Sequence, residues 1–208
     1  MKLDHFAWSA PSLDDAVDAV EAWSGVRAAP GGSHPGMGTR NALLSLADGL
    51  YLAIDAPDPE QPLTGNNGAR MAAQPGYHMD LFVVSTDDIH AAKAVLESFG
   101  LPAEIRAGSR RTLRGEMLEW RYLAVEPTRF GNALPLVSQW DTPNHPSAEA
   151  PKGCSLDRFV VAHPLGDEIR PLYEALGLDV PVVFARRPEL RVTLRGHHGV
   201  FDLPSRSA

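Results

Sequence analysis

The chain has 208 residues, 44% of them apolar and 22% charged, which suffices for one compact domain or two small ones with a sizeable core. Its 26 acidic and 19 basic residues leave a net charge of −7, which repels phosphate backbones and argues against nucleic acid as a partner. A single cysteine, Cys154, excludes an intrachain disulfide. The opening MKLDHFAWSA reads as neither signal peptide nor membrane span, so a cytoplasmic protein with no membrane partner is expected.

Taken in chain order, three stretches look alike: LDHFAWSAPSLDDAVDAVEAWSG, HMDLFVVSTDDIHAAKAVLESFG and LDRFVVAHPLGDEIRPLYEALG. They end at Gly25, Gly100 and Gly177, spacings of 75 and 77 residues, which points to a repeated supersecondary unit. Each opens with an apolar strand. In the first, His5, Ala7 and Ser9 share one face, while Asp4, Phe6 and Trp8 share the other. A helix follows, capped by Ser12, carrying Leu13, Ala16, Val17, Val20 and Trp23 at helical spacing, and stopped by Gly25. Thr86 is the expected cap of the second helix, and Pro171 is expected near the start of the third.

The segment GGSHPGMGTRN, Gly31 to Asn41, reads as a glycine-rich loop. It lacks a Walker lysine and the strand-to-helix setting of a dinucleotide fingerprint. A structural turn or a lid over a pocket remains, with His34 and Asn41 at its rim. Further strands are Thr39 to Leu46, Leu50 to Ala56, Glu116 to Val125, Ala133 to Trp140, Pro181 to Phe184, Leu190 to Gly196 and His198 to Leu203. Each unit therefore reads β-α-β-β-β, over residues 1–60, 77–141 and 155–204, with Pro/Gly-rich linkers between them. His197 and His198 read as a hairpin turn. His90, His145 and His163 suggest no chemistry.

The β-α-β-β-β repeat, opened by Leu3-Asp4-His5 and followed by HPGMGTRNALLSLADGLYLAIDAPDP, resembles the vicinal oxygen chelate superfamily and its glyoxalase-like branch. PLVSQWDTPNHPS, Pro135 to Ser147, matches the end of that branch's second module. The resemblance covers about the first three-quarters of the chain. It implies an α+β fold in which two modules curl into a cup that holds a divalent metal and a small substrate. A third, similar C-terminal unit then either covers the cup or pairs across a homodimer. The ligand positions implied by the family fall on His5, Ala53, Leu81 and Gln139. Two of these cannot coordinate, so a metal on His5 and Gln139 would be weak or absent. Asp55 lies on the face of Ala53, two residues on.

Among the arginines of RAGSRRTLRG, Arg111 and Arg114 are candidates to grip a carboxylate or phosphate, and Trp120 to pave the cavity wall. The expected function is a glyoxalase-like enzyme, of lyase, isomerase or dioxygenase type, acting on a small oxygen-rich, anionic metabolite. His5 would hold the metal, or act as general acid and base without one. The alternative is a metal-free protein that sequesters a small molecule.

Overall fold

Residues 1–112 and 115–205 are described in the computed structural model, so Arg114 lies outside the described residues. The first repeat comprises β1 (Lys2–Ser9), α1 (Leu13–Ser24), β2 (Ala29–His34), β3 (Thr39–Ser45) and β4 (Tyr51–Pro57). A short helix, α2 (Asn67–Ala73), lies in the first linker. The second repeat comprises β5 (His78–Ser85), α3 (Ile89–Ser98), β6 (Ala103–Arg111), β7 (Met117–Val125) and β8 (Leu136–Trp140). All eight strands form one sheet, ordered β2-β3-β4-β1-β5-β8-β7-β6. The first strands of the repeats, β1 and β5, meet antiparallel at its centre. Each runs parallel to the last strand of its own repeat.

The sheet curls into a half-barrel, bringing its edge strands β2 and β6 together. Arg110 of β6 clasps that seam, its Nη1 donating to the Gly31 carbonyl at 2.8 Å. This is the cupped α+β architecture the resemblance implies.

Strand alternation divides β1 as expected for its bulky residues. Phe6 and Trp8 are fully buried on the outer face, in the core under α1 and α3. The stripe of α1 buries Leu13, Ala16, Val17 and Val20 as the spacing predicts, with Ser12 capping the helix and Gly25 left-handed at φ 75°. The cap of α3 is Asp88, not Thr86. Asp88 Oδ1 accepts from the backbone N–H of His90 and Ala91, while Thr86 Oγ1 takes the N–H of Asp88.

The glycine-rich segment is not a lid. Residues 29–34 are the edge strand β2, and the turn is confined to Pro35–Gly38, where Gly36 and Gly38 have φ of 79° and 67°. Glycine is needed here for close approach. A Cβ on Gly31 would lie 2.3 Å from Asn41 Oδ1. Strand β6 also lacks an apolar period. Its Gly108 is covered by the Trp120 indole, which a Cβ would meet at 2.5 Å.

The C-terminal unit comprises β9 (Ser155–His163), α5 (Gly166–Ala175), β10 (Val182–Phe184), β11 (Glu189–Gly196) and β12 (Gly199–Asp202), forming a separate sheet ordered β10-β9-β11-β12. It covers the outer wall of the half-barrel rather than the mouth of the cup. Phe159 packs edge-on against Phe6 and Phe82, each at 4.9 Å, and Trp8 Nε1 donates to the Pro204 carbonyl at 2.7 Å. His197 and His198 form the β11–β12 turn. Pro171 sits at the sixth residue of α5 rather than near its start. The carbonyl left without its helical partner belongs to Asp167, in an exposed first turn where water can serve it.

Candidate active site

Regular pleating would point Asp4 outward with Phe6 and Trp8. A β-bulge between Leu3 and His5 in the pairing with β5 overrides this. Asp4 becomes the extra residue, and its carboxylate turns toward the inner-face residues. Oδ1 lies 2.6 Å from His5 Nδ1, and Oδ2 lies 2.9 Å from Trp140 Nε1 and 3.1 Å from His145 Nε2. Asp4 is only 2% exposed. Burial pulls its pKa up, but the hydrogen bonds to His145 and His5 and their electrostatic attraction outweigh burial and hold it far below the usual carboxylate range.

His5 lies on the concave face, stacked on Tyr51 with ring centroids 4.5 Å apart. Tyr51 belongs to the inner-face cluster with Leu43, Ala53 and Ala150. Burial, followed by the charge of Asp4, raises its phenol well above 10, so it stays neutral.

The partners assign the tautomers. His5 Nδ1 faces a carboxylate and carries the proton, which leaves the Nε2 lone pair without a partner among the described residues. His145 is the N-cap of α4 (Pro146–Glu149), and its Nδ1 accepts the Ser147 backbone N–H at 3.3 Å. Its proton is therefore on Nε2, directed at Asp4.

Sequence reasoning passed over His145 because it sits between prolines in a linker. That linker crosses the inner face. Ser45 N–H donates to the Pro151 carbonyl at 2.9 Å, and Ala150 packs into the inner cluster. His-Pro-Ser, with proline at the first helical position, was the available signal of an ordered turn.

The cup retains a cavity of about 530 Å³, lined by Gly31, Leu43, Arg110, Glu116, Asn144 and His145 among others. Arg110 is 7% exposed. Among the described residues no carboxylate forms an ion pair with it, and burial lowers its pKa. Its neighbour Arg111 is exposed and donates to the Gly115 carbonyl at 3.1 Å. The strand's period of two thus gives the inward position to Arg110, not to the expected Arg111. Trp120 packs against Trp140 at 5.4 Å, next to Asp4's partner.

His34, Asn41 and Asp55 form one polar cluster. His34 Nδ1 lies 2.9 Å from Thr39 Oγ1, and Asn41 Nδ2 lies 3.3 Å from His34 Nε2. Burial, then the charge of Arg110, lower His34 to about 4, so its ring is neutral. Asn41 is paired across the strands with Asp55. Burial, then the charge of Asp80, push the Asp55 carboxyl up to about 7. Its Oδ1 and Asn41 Oδ1 are sealed from solvent without hydrogen-bond partners. Asp80 is the counterpart of Asp4, set in the matching bulge of β5 and paired with Arg70 of α2 at 2.7 Å. In each repeat a linker thus supplies the cation or imidazole that meets the bulged aspartate.

The residues at the family's ligand positions do not fit a divalent metal. Gln139 lies on the outer face, its Oε1 accepting the Ile89 N–H at the start of α3 at 3.0 Å. Alternation therefore separates it from His5, which corrects the expected His5–Gln139 pair. His5 Nδ1 is taken by Asp4, Ala53 packs under Ala150, and Leu81 has no donor. Asp55 pairs with Ser9 whereas His5 pairs with Tyr51. Four residues along a strand is about 13 Å, far beyond a shared ion. Among the described residues, no three His, Cys, Asp or Glu side chains are placed to hold a metal ion.

A half-barrel of two βαβββ repeats, with its polar cluster on the concave face, defines a protein of the vicinal oxygen chelate type. The glyoxalase-like domain matches residues 3–177, and the chain belongs to that family. The match runs beyond the two repeats through β9 and α5. The fold is similar to the crystal structure of a hypothetical protein from Staphylococcus aureus, with 16% identity, 99% of this chain and 86% of that chain covered, and a TM-score of 0.60. Methylmalonyl-CoA epimerase from Mycobacterium tuberculosis is 19% identical over 67% of this chain and 86% of its own, with a TM-score of 0.45. The Streptomyces coelicolor epimerase is 20% identical over 69% and 99%, with a TM-score of 0.46. Among curated proteins, none matches the sequence.

Proposed function

We propose that the chain is a glyoxalase-like enzyme of the lyase or isomerase type, which moves a proton on a small oxygen-rich, anionic metabolite held in the cup. The observation that carries this reading is the Asp4–His5 pair, with His5 Nδ1 fixed by a buried carboxylate and Nε2 left open. That geometry suits a general base. The proton of a carbon next to a carbonyl passes to Nε2, and the electron pair moves into the carbonyl as an enolate. The same nitrogen returns the proton to another face or atom. Asp4 stabilises the imidazolium formed in between. His145 and Trp140 position Asp4, and Tyr51 holds the plane of the ring.

The test is hydrogen–deuterium exchange in D₂O, followed by proton NMR, on a panel of small 2-oxo acids and 2-hydroxy aldehydes. The wild-type protein is expected to exchange at least one of them, and His5→Ala to slow that exchange about 10²- to 10⁴-fold. Binding without exchange across the panel would refute the enzyme and leave sequestration. Equal exchange by His5→Ala would refute the assigned base.

A further inference from the structure

Arg110 presents a problem that the fold does not solve. A guanidinium carries five N–H donors and is charged at any pH of interest. This one is 7% exposed, and among the described residues it makes a single hydrogen bond, from Nη1 to the Gly31 carbonyl. Clasping the β2–β6 seam would need no more than a neutral donor. The charge of Asp55 acts on Arg110 without forming an ion pair and burial still prevails, so an anion in direct contact would offset the remaining desolvation cost. Arg110 lines the 530 Å³ cavity, a size that takes a small metabolite.

The rest of the lining narrows the anion. Glu116 and Glu149 lie on the same cavity, and Glu116 Oε2 accepts from the Asn144 amide at 3.4 Å. A dianion such as phosphate would meet repulsion from that carboxylate. A monoanion whose other end carries hydroxyl donors would satisfy both groups at once.

We propose that this cavity binds a small hydroxylated monocarboxylate, its carboxylate gripped by Arg110 and its hydroxyls donating to Glu116. The inference deepens the reading of the cup as an active site by naming the ligand class, but it is tested by binding rather than turnover.

The experiment is calorimetric titration of the wild-type protein with glycerate and gluconate, with their neutral amides, and with inorganic phosphate. At least one hydroxy acid is expected to bind, its amide at least tenfold more weakly, and phosphate more weakly than the acid. Arg110→Met should abolish binding of the acid. Glu116→Gln, on the surface and away from the seam, should weaken the hydroxy acid severalfold while strengthening phosphate. It keeps the test decisive if Arg110→Met unfolds. Acids and amides binding equally, phosphate binding best, or no binding of either acid would overturn the proposal. Binding with no proton exchange would leave it standing and refute the turnover alone.

Discussion

Replacing Asp55 by asparagine should reshape the pH dependence of stability. The carboxyl ionises near pH 7 in the fold and near 3.8 in a free chain, because burial and the neighbouring charge of Asp80 oppose its ionisation. Arg110 and Arg70 act in the other direction. Between those two pH values the folded protein binds more protons than the unfolded one, so stability falls as pH rises through the window. Each pH unit of the gap is worth about 1.36 kcal/mol, which gives roughly 4 kcal/mol in all, trimmed to about 2–4 kcal/mol by the side chain's residual exposure. His34 works oppositely. It ionises near 4 in the fold against 6.5 in a free chain, so its share of stability rises with pH between those values. In the wild type the two trends oppose each other below pH 6.5, and the Asp55 decline then shows alone up to about pH 7. In Asp55→Asn the rises from His34 and His163 remain, both lowered by burial, and the new amide can donate to Asn41 Oδ1, which has no partner among the described residues. Urea unfolding from pH 4.5 to 8 should show the variant gaining about 2–4 kcal/mol on the wild type across that range. Parallel curves for the two proteins would refute the reasoning.

Three further outcomes are expected. Asp4→Asn should slow proton exchange about 10²-fold while acid binding stays within a few-fold, because the amide no longer fixes the His5 tautomer; unchanged exchange rates would remove Asp4 from its positioning role. Gln139→Ala should cost about 1 kcal/mol in thermal or urea unfolding, by taking the acceptor from the Ile89 N–H at the start of α3, and leave ligand titrations unaltered; a change in binding with intact stability would contradict its outward placement. Phe159→Ala should destabilise by about 3–5 kcal/mol in a single cooperative transition, since the ring joins the C-terminal sheet to Phe6 and Phe82; separate transitions for the two sheets would show that they do not share a core.

The order of strands and helices was largely legible in the chain itself. Local forces decide such features: alternation sends Phe6 and Trp8 to a helix-covered face, Ser12 and Gly25 bound α1, and the three terminal glycines mark the repeat. The strands that escaped, β2 and β6, are edge strands rich in glycine or arginine, where pairing with one neighbour replaces the apolar period as the determinant. The site was legible only in part. His5 could be read because its face follows from regular pleating. Asp4 could not, because a bulge forms only when two strands settle their register across the repeat, and the extra residue it leaves need not follow the alternation. Alternation along β8 and β6 took Gln139 out of the cup and put Arg110 in place of Arg111. His145 lies 141 residues from Asp4 along the chain. Their contact exists because a linker folds across the concave face of the closed sheet. Periodicity encodes which side of its own strand a residue occupies. Only the assembled half-barrel decides which distant side chains that side confronts, and here that decision brought Asp4, His5 and His145 together.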